Sequence, residues 1–465
     1  MKNKKTIIIV GILLFILYSV GLFKLASNPT GIISTKTNDP YLARFIENYN
    51  TLKSDWYYFQ DDEKVIQAAT DAMTLSNKDN DVYTEYIPAS ESESYFSALE
   101  SEFVGIGVQF TIINNKPMIT HVYEGLPAAK AGLKVGDYIL KSDGKSLSGL
   151  TTAEIQKSIV GKEGTTRKIV YQRDGQELTA SIVIKKIDAS VQYHITDGIG
   201  YIKISDFTQT MPQNAKLALQ YMQDKKVKKV VLDVRDNPGG YLDSLQALAD
   251  LFLPPGQVVL KTKDKSGKVV EYKTTDKTEF KFSYVILANG NTASAAEAFV
   301  ACLNENLGVP IYGQKTFGKG IMQSFFEYKD GAYLKYTSAA WLTPKDHAIN
   351  KKGIEPTHKI TGSALDNIKN MAYTVNKDIK NDSVDMNLKF YQNALNALGY
   401  KVDRTDGYYS VGTNNALNKF KQDHNLTNET DLSVKVQSEI IRTVYIKSDN
   451  SSNDKVLKDV INTLK

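Results

Sequence analysis

Two short segments carry residue types that could do chemistry. The first is Asn289-Gly290-Asn291-Thr292-Ala293-Ser294-Ala295-Ala296-Glu297-Ala298-Phe299. It places Ser294 at the end of a polar, glycine-containing turn, where a helix should begin. The second is Gly313-Gln314-Lys315-Thr316-Phe317-Gly318-Lys319-Gly320-Ile321-Met322-Gln323, with Lys319 between two glycines and Gln323 beyond. A serine needs a base before it attacks a carbonyl, and a lysine held neutral by its environment can be that base. Neither segment contains a histidine, so nucleophilic chemistry here is Ser–Lys chemistry. At a helix N-terminus Ser294 sits where developing negative charge is favoured, and the Ala295 N–H is placed to donate to an oxyanion. Lys319 titrates near ~10.4 in water, so useful base strength at neutral pH needs a downward shift of roughly three units. Burial shifts it in that direction. Gln323 could orient the amine without adding a charge, and Gly318 and Gly320 would let the strand pass close to the serine.

The remaining composition bounds the alternatives. The chain has 465 residues, 42% of them hydrophobic and 23% charged, which fits about three folded domains. A net charge of +5 with dispersed basic residues argues against nucleic acid as a partner. The single cysteine, Cys302, excludes an intrachain disulfide and reads as a buried apolar residue. The five histidines are scattered and show no metal-ligand spacing, and no phosphate-binding loop is present, so neither metal nor cofactor is expected.

Lys2, Lys4 and Lys5 precede an uncharged apolar run from Thr6 to Phe23. Its length is near the lower limit for a membrane span, and its basic flank predicts a cytoplasmic N-terminus with the rest exported. Either Lys24 or Leu25 would fall at a position where signal cleavage prefers a small residue, which favours an uncleaved anchor over a cleaved signal peptide. The expectation is a cytoplasmic tail at 1–5, an anchor at 6–23 and a catalytic part outside the cell membrane, on the bacterial cell surface.

The elements that must position the chemistry follow in order. Helical spacing of Leu42, Phe45, Ile46, Tyr49 and Leu52, then of Val65, Ala68, Ala69 and Ala72, predicts a helical layer over 41–99. Short strands and turns dominate 100–187, beginning at Val104-Gly105-Ile106-Gly107. From 188 to 362 strands alternate with helices. The apolar run Val227–Val234 reads as a strand buried on both faces that stops at Arg235-Asp236-Asn237-Pro238-Gly239-Gly240, so this part predicts an α/β core. A helix from Leu388, a stop at Gly399, the Asp406-Gly407 turn and a second helix from Thr413 predict a compact helical unit over 386–443.

Three resemblances attach to these segments. Gly125-Leu126-Pro127-Ala128-Ala129-Lys130-Ala131-Gly132-Leu133 followed by Gly136-Asp137 resembles a PDZ domain in the circularly permuted form of carboxyl-terminal processing proteases. Such a domain adds an extended peptide to a sheet edge, which implies that Val104, Gly105, Ile106 and Gly107 hold the peptide carboxylate. The 386–443 unit resembles a three-helix peptidoglycan-binding domain, with Phe420-Lys421 where Phe-Gln is familiar. The serine and lysine segments, Asp233-x-Arg235-x-Asn237-Pro238-Gly239-Gly240 and the PDZ-like insert together resemble the S41 family of tail-specific serine peptidases. The implied core is an α/β peptidase with a ββα texture like crotonase and Clp. The family pattern places a second oxyanion donor at Gly239 or Gly240. It also implies an acidic contributor at Glu305, although a carboxylate beside Lys319 would raise its pKa. Glu297 reads as a first-turn residue complementing the helix dipole.

The function expected is a membrane-anchored serine endopeptidase that processes or degrades proteins recognised at their C-termini. Its expected partners are peptide ends, the membrane and peptidoglycan, with a homodimer compatible. The alternative is a catalytically silent scaffold of PDZ-like and wall-binding modules.

Overall fold

The computed structural model describes residues 39–99, 102–123, 125–275, 280–369, 371–449 and 454–465. The Thr6–Phe23 run lies outside them. Among the described residues no helix is long and apolar enough to cross a membrane.

An N-terminal unit ends at Ser76. It contains the helices Pro40–Asp55 and Asp62–Leu75, each started by an aspartate, Asp39 and Asp61, whose carboxylate accepts from first-turn amides. The rest of the chain, from Asn77, forms one larger unit. Within it the expectation of helix up to residue 99 fails at one place. Glu85–Ile87 is a strand, paired antiparallel with Tyr333–Lys335, and only then does the helix Ala89–Leu99 begin. Three residues carry no readable period, and their strand state comes from a distant partner.

The PDZ-like segment forms a sheet whose edge strand is Val108–Ile113, paired with Lys116–Val122. The helix Thr152–Ile159 is fixed by a capping box between Thr151 and Glu154 and packs Ile155 and Ile159 into the same core as Ile106 and Val108. The strand Glu102–Gly105 pairs with Lys185–Asp188 where the chain leaves this segment.

The core is a six-stranded sheet among the described residues. The strands Ile199–Ile204, Lys229–Asp233, Ser283–Ala288, Ile311–Gly313 and His358–Lys359 run parallel, and Val191–Thr196 lies antiparallel at one edge. The central strands carry apolar runs, Val230-Val231-Leu232 and Tyr284-Val285-Ile286-Leu287-Ala288, because both faces are covered. Val230, Leu232 and Ile286 face the helices Met211–Asp224, Leu242–Asp250 and Ala295–Leu307. Val231, Val285 and Leu287 face a helix that sequence reading had not assigned, Lys455–Leu464, which covers them with Val456, Leu457, Val460 and Ile461. A second, antiparallel sheet contains Ile321–Glu327 and Tyr333–Leu342 and carries Gln323.

The C-terminal helices Leu388–Ala397, Val411–Asp423 and Val434–Asp449 share one apolar core with Ile113 and Met118 of the PDZ-like sheet. Arg442 reinforces that junction, donating to the Gly136 carbonyl at 2.8 Å and to Asp174 at 2.7 Å. Lys421, at the departing Phe-Lys position, is buried, and its Nζ donates to the Glu429 carbonyl at 3.2 Å.

Candidate active site

Two loops at the carboxyl ends of neighbouring parallel strands are tied together side by side. Lys229–Asp233 runs into residues 234–240, and Ser283–Ala288 runs into residues 289–294. The Thr292 hydroxyl donates to the Val234 carbonyl at 2.8 Å, and the Ala293 N–H donates to the Asn237 carbonyl at 2.9 Å. Asn289 and Asn291 both donate to Asp236, at 2.9 and 2.8 Å. Asn237 is fully buried. Its side chain donates to the Ile204 carbonyl and accepts the Gly239 N–H, each at 2.8 Å.

These ties bring the chain to Ser294 in a conformation that a side chain rarely adopts, φ 57° and ψ −122°. Such backbone costs on the order of 1–3 kcal/mol and persists only where its surroundings enforce it. Gly239 lies against it at φ 104°, and a Cβ there would stand 2.7 Å from Ser294 Cβ and 2.9 Å from Ala295 N. Only glycine fits that approach. Ala295 opens the helix, so its N–H has no helical acceptor. The two candidate glycines separate here. The Gly239 N–H is engaged by Asn237, whereas the Gly240 N–H has no acceptor among the described residues, and Gly240 is exposed. Gly240 and Ala295 are therefore the two amides of this corner that have no acceptor among the described residues.

Sequence reading missed what joins the serine to the lysine. Glu297 is fully buried. One of its carboxylate oxygens accepts the N–H of Ser294 at 3.0 Å and that of Lys319 at 2.8 Å. The other accepts the Gly318 N–H at 2.7 Å and the Thr316 hydroxyl at 2.5 Å. Glu297 does sit in the first turn of the helix, but its chief work is to hold the loop 316–319 against the serine turn. The signal available was a charged residue in an otherwise small and apolar helix start. Burial raises the Glu297 pKa, against the pull of its four donors.

Gly318 and Gly320 were expected to let the strand pass close to the serine, but the groups pressed against them are those of another segment. A Cβ on Gly318 would meet Gly353 N at 2.8 Å, and one on Gly320 would meet Asn350 N at 2.4 Å. The glycines admit the crossing segment 349–353. Phe317, between Thr316 and Gly318, stays exposed while its N–H donates to the Thr292 carbonyl at 3.0 Å.

The Lys319 side chain is largely withdrawn from water. Burial pushes its pKa below the usual lysine value, Lys335 adds to that, and Glu297 opposes it. Its Nζ lies 4.5 Å from the ring centroid of Tyr83. Among the described residues it makes no hydrogen bond to Ser294 or Gln323. Gln323, after a bulge in its strand, donates instead to the Thr337 hydroxyl at 3.3 Å. Glu305 is not part of this arrangement. It lies three helical turns beyond Ser294, about 16 Å along the axis, where it accepts from Lys345 N at 2.7 Å and pairs with His347 at 2.8 Å. No group of three or more His, Cys, Asp or Glu side chains able to hold a metal occurs among the described residues.

In the PDZ-like segment, Val104 and Gly105 lie in the ladder with Lys186 and Lys185, so the open turn is Ile106–Gly107. Ile106 points into the core, its carbonyl accepts from Ala128 at 2.8 Å, and Gly107 turns the chain at φ 87°. The strand that follows is the sheet edge, with one side unpaired among the described residues.

A serine at a strained helix start, a withdrawn lysine whose backbone shares a buried carboxylate with it, and a glycine turn that leaves the Gly240 amide without an acceptor among the described residues suit acyl transfer. Comparison with known proteins agrees. Residues 198–360 match peptidase family S41, residues 104–184 match a PDZ domain, and residues 386–430 match a peptidoglycan binding domain. A CtpA-like serine protease of Staphylococcus haemolyticus (strain JCSC1435) is 35% identical over 93% of this chain and 86% of its own. The chain belongs to peptidase family S41. It is a serine peptidase of that family. A second CtpA-like serine protease, from Staphylococcus aureus (strain COL), is 34% identical over 92% of this chain and 86% of its own. Among solved structures, a photosystem II D1 C-terminal processing protease shares 23% identity over 68% of this chain and 86% of its own, with a TM-score of 0.44.

Proposed function

We propose that this S41 peptidase is a membrane-anchored, extracytoplasmic endopeptidase that cuts proteins delivered by their C-termini, using Ser294, Lys319 and Gln323. The observation that carries this reading is the single Glu297 oxygen accepting from the backbone of both Ser294 and Lys319. It ties the backbone of the serine turn and the backbone at Lys319 to one point.

In the proposed reaction a substrate end adds to the Val108–Ile113 edge, with its carboxylate at the Ile106–Gly107 turn, and the chain upstream reaches Ser294. Neutral Lys319, oriented by Gln323, takes the Ser294 hydroxyl proton as Oγ attacks the scissile carbonyl. The oxyanion faces the N–H groups of Gly240 and Ala295. Collapse breaks the C–N bond, and the Lys319 ammonium returns the proton to the leaving amine. Water, deprotonated by Lys319, then attacks the ester, and the Lys319 ammonium gives that proton to the departing Ser294 Oγ, which restores the free hydroxyl and the neutral amine. Export is supported by the lysine-flanked apolar run, and wall binding by the 386–430 match.

Three measurements test this reading. Ser294→Ala and Lys319→Ala, folded by circular dichroism, should each lose cleavage of an unstructured substrate, and wild-type rates in either would sink it. A silent scaffold would resist serine-directed acylating probes, whereas this reading expects Ser294 to be labelled. The whole protein should fractionate with membranes, and after detergent extraction it should co-sediment with purified peptidoglycan. A protein found only in the cytosol removes the anchor, and one that stays in the supernatant removes wall binding.

A further inference from the structure

The aromatic ring under Lys319 comes from outside the peptidase motifs. Tyr83 lies just before the short strand Glu85–Ile87. Its turn is held firmly. Asp81 accepts the Tyr83 N–H at 3.0 Å and the Thr84 hydroxyl at 2.6 Å, and Thr84 Oγ1 accepts the Thr337 N–H at 3.1 Å. Thr337 is the residue that receives Gln323. The turn 81–84 therefore meets Lys319 directly and Gln323 through Thr337.

The face of an aromatic ring attracts an ammonium and has much less hold on a neutral amine. The charged groups bearing on Lys319 are Glu297 on its helix and Lys335 on the neighbouring strand. Lys335 is itself paired with Glu85 and donates to Tyr95, and Asp81 acts on Tyr83 rather than on Lys319. The ring thus stabilises the ammonium from 4.5 Å without bringing a charge of its own.

We propose that Tyr83 is a positioning residue for Lys319: its ring holds the ammonium in a resting site, and loss of the proton frees the amine for Ser294. The proposal rests on Lys319 being the general base. Deprotonation and release are then one event, so the ring sets the pH at which the base becomes available.

The test uses the whole protein carrying Ser294→Ala, in which competitive acylation of Lys319 by acetic anhydride is followed by peptide mass spectrometry across pH. Tyr83→Leu keeps an apolar cover but removes the ring, and should lower the Lys319 midpoint by about half to one pH unit. Tyr83→Phe should leave it in place, and Tyr83→Trp, with the stronger ring, should raise it. With Ser294 restored, the rising limb of kcat/KM should move by the same amounts. An unchanged midpoint in Tyr83→Leu, or a shift in Tyr83→Phe as large as that in Tyr83→Leu, overturns the proposal. If Tyr83→Leu does not fold, a Tyr83→Trp midpoint at or below the wild-type value overturns it. Activity retained in Lys319→Ala would instead remove the general-base reading, while the labelling still reports on Tyr83.

Discussion

Glu297 accepts the Lys319 backbone N–H at 2.8 Å, so a residue of the serine helix fixes the loop that leads into the Ile321–Glu327 strand. Each oxygen of that carboxylate faces two donors: Ser294 and Lys319 on one side, Thr316 and Gly318 on the other. Glu297→Gln preserves the shape but must turn an NH2 group toward two donors whichever way it sits. Leaving buried donors unpaired costs about 1–3 kcal/mol each. The variant should lose several degrees of Tm in a thermal melt. It should also lose on the order of a hundredfold in kcat with KM little changed, because the serine turn and the lysine loop come apart while the peptide edge is untouched.

Gly239 offers a sharper probe of the same corner. At φ 104°, with a Cβ position 2.7 Å from Ser294 Cβ, Gly239→Ala must move either its own loop or the nucleophile. The positive φ adds a cost of about 1–2 kcal/mol. Expected are a folded protein with a modestly lower Tm and a kcat reduced at least a hundredfold, the scale on which losing one oxyanion donor is felt. Wild-type turnover would show that the glycine turn does not abut the reacting centre.

The titration of Lys319 has a defined sign. Burial holds its folded pKa below the ordinary lysine value, and in the proposed mechanism the base is the neutral amine. kcat/KM should therefore climb with pH, with a midpoint below ~10.4, and fall about tenfold for each unit beneath it. The unfolded chain binds this proton more tightly, so stability gained from Lys319 appears as pH rises through the lowered midpoint and is complete above ~10.4. Lys319→Met should flatten that part of the stability profile measured by urea melts, as well as abolish turnover.

Ser294, Lys319 and the Gly239-Gly240 turn were legible because local signals mark them: a polar turn before an apolar helix, and glycines where the backbone needs positive φ or close approach. The parallel core was legible because strands covered on both faces carry unbroken apolar runs such as Val230-Val231-Leu232. The first-turn place of Glu297 was legible, but its wider role was not, for a physical reason. Its position within the helix start explains only the bond to Ser294, while its other three donors arrive from a loop some twenty residues away. Tyr83 and the Glu85–Ile87 strand were missed likewise, since three residues paired to a distant strand leave no period. The purpose of Gly318 and Gly320 was misassigned because the 349–353 segment that crosses them cannot be seen from spacing. Glu305 was carried over by likeness alone, and the length of its helix takes it out of reach of the serine.

The Lys455–Leu464 helix was also unassigned, and it reaches the catalytic corner by an ion pair. Arg235 follows the central strand directly into the glycine turn. Its guanidinium donates to Asp233 beneath and, at 3.0 and 2.6 Å, to Asp454, which also caps the helix by accepting from Leu457 N at 2.9 Å. Tyr201 donates to Asp233 at 2.7 Å, closing a largely buried cluster. Removing Asp454 leaves Arg235 with one carboxylate and the helix without its cap. Asp454→Ala should cost about 2–4 kcal/mol, combining a lost cap with a half-broken buried pair. Asp454→Asn, which can still cap, should cost less. Chemical denaturation measures both, and equal stability of Asp454→Ala and wild type would show that the helix docks through its apolar face alone. If Arg235 transmits the loss into residues 236–240, kcat in Asp454→Ala should fall severalfold under conditions where the protein remains fully folded.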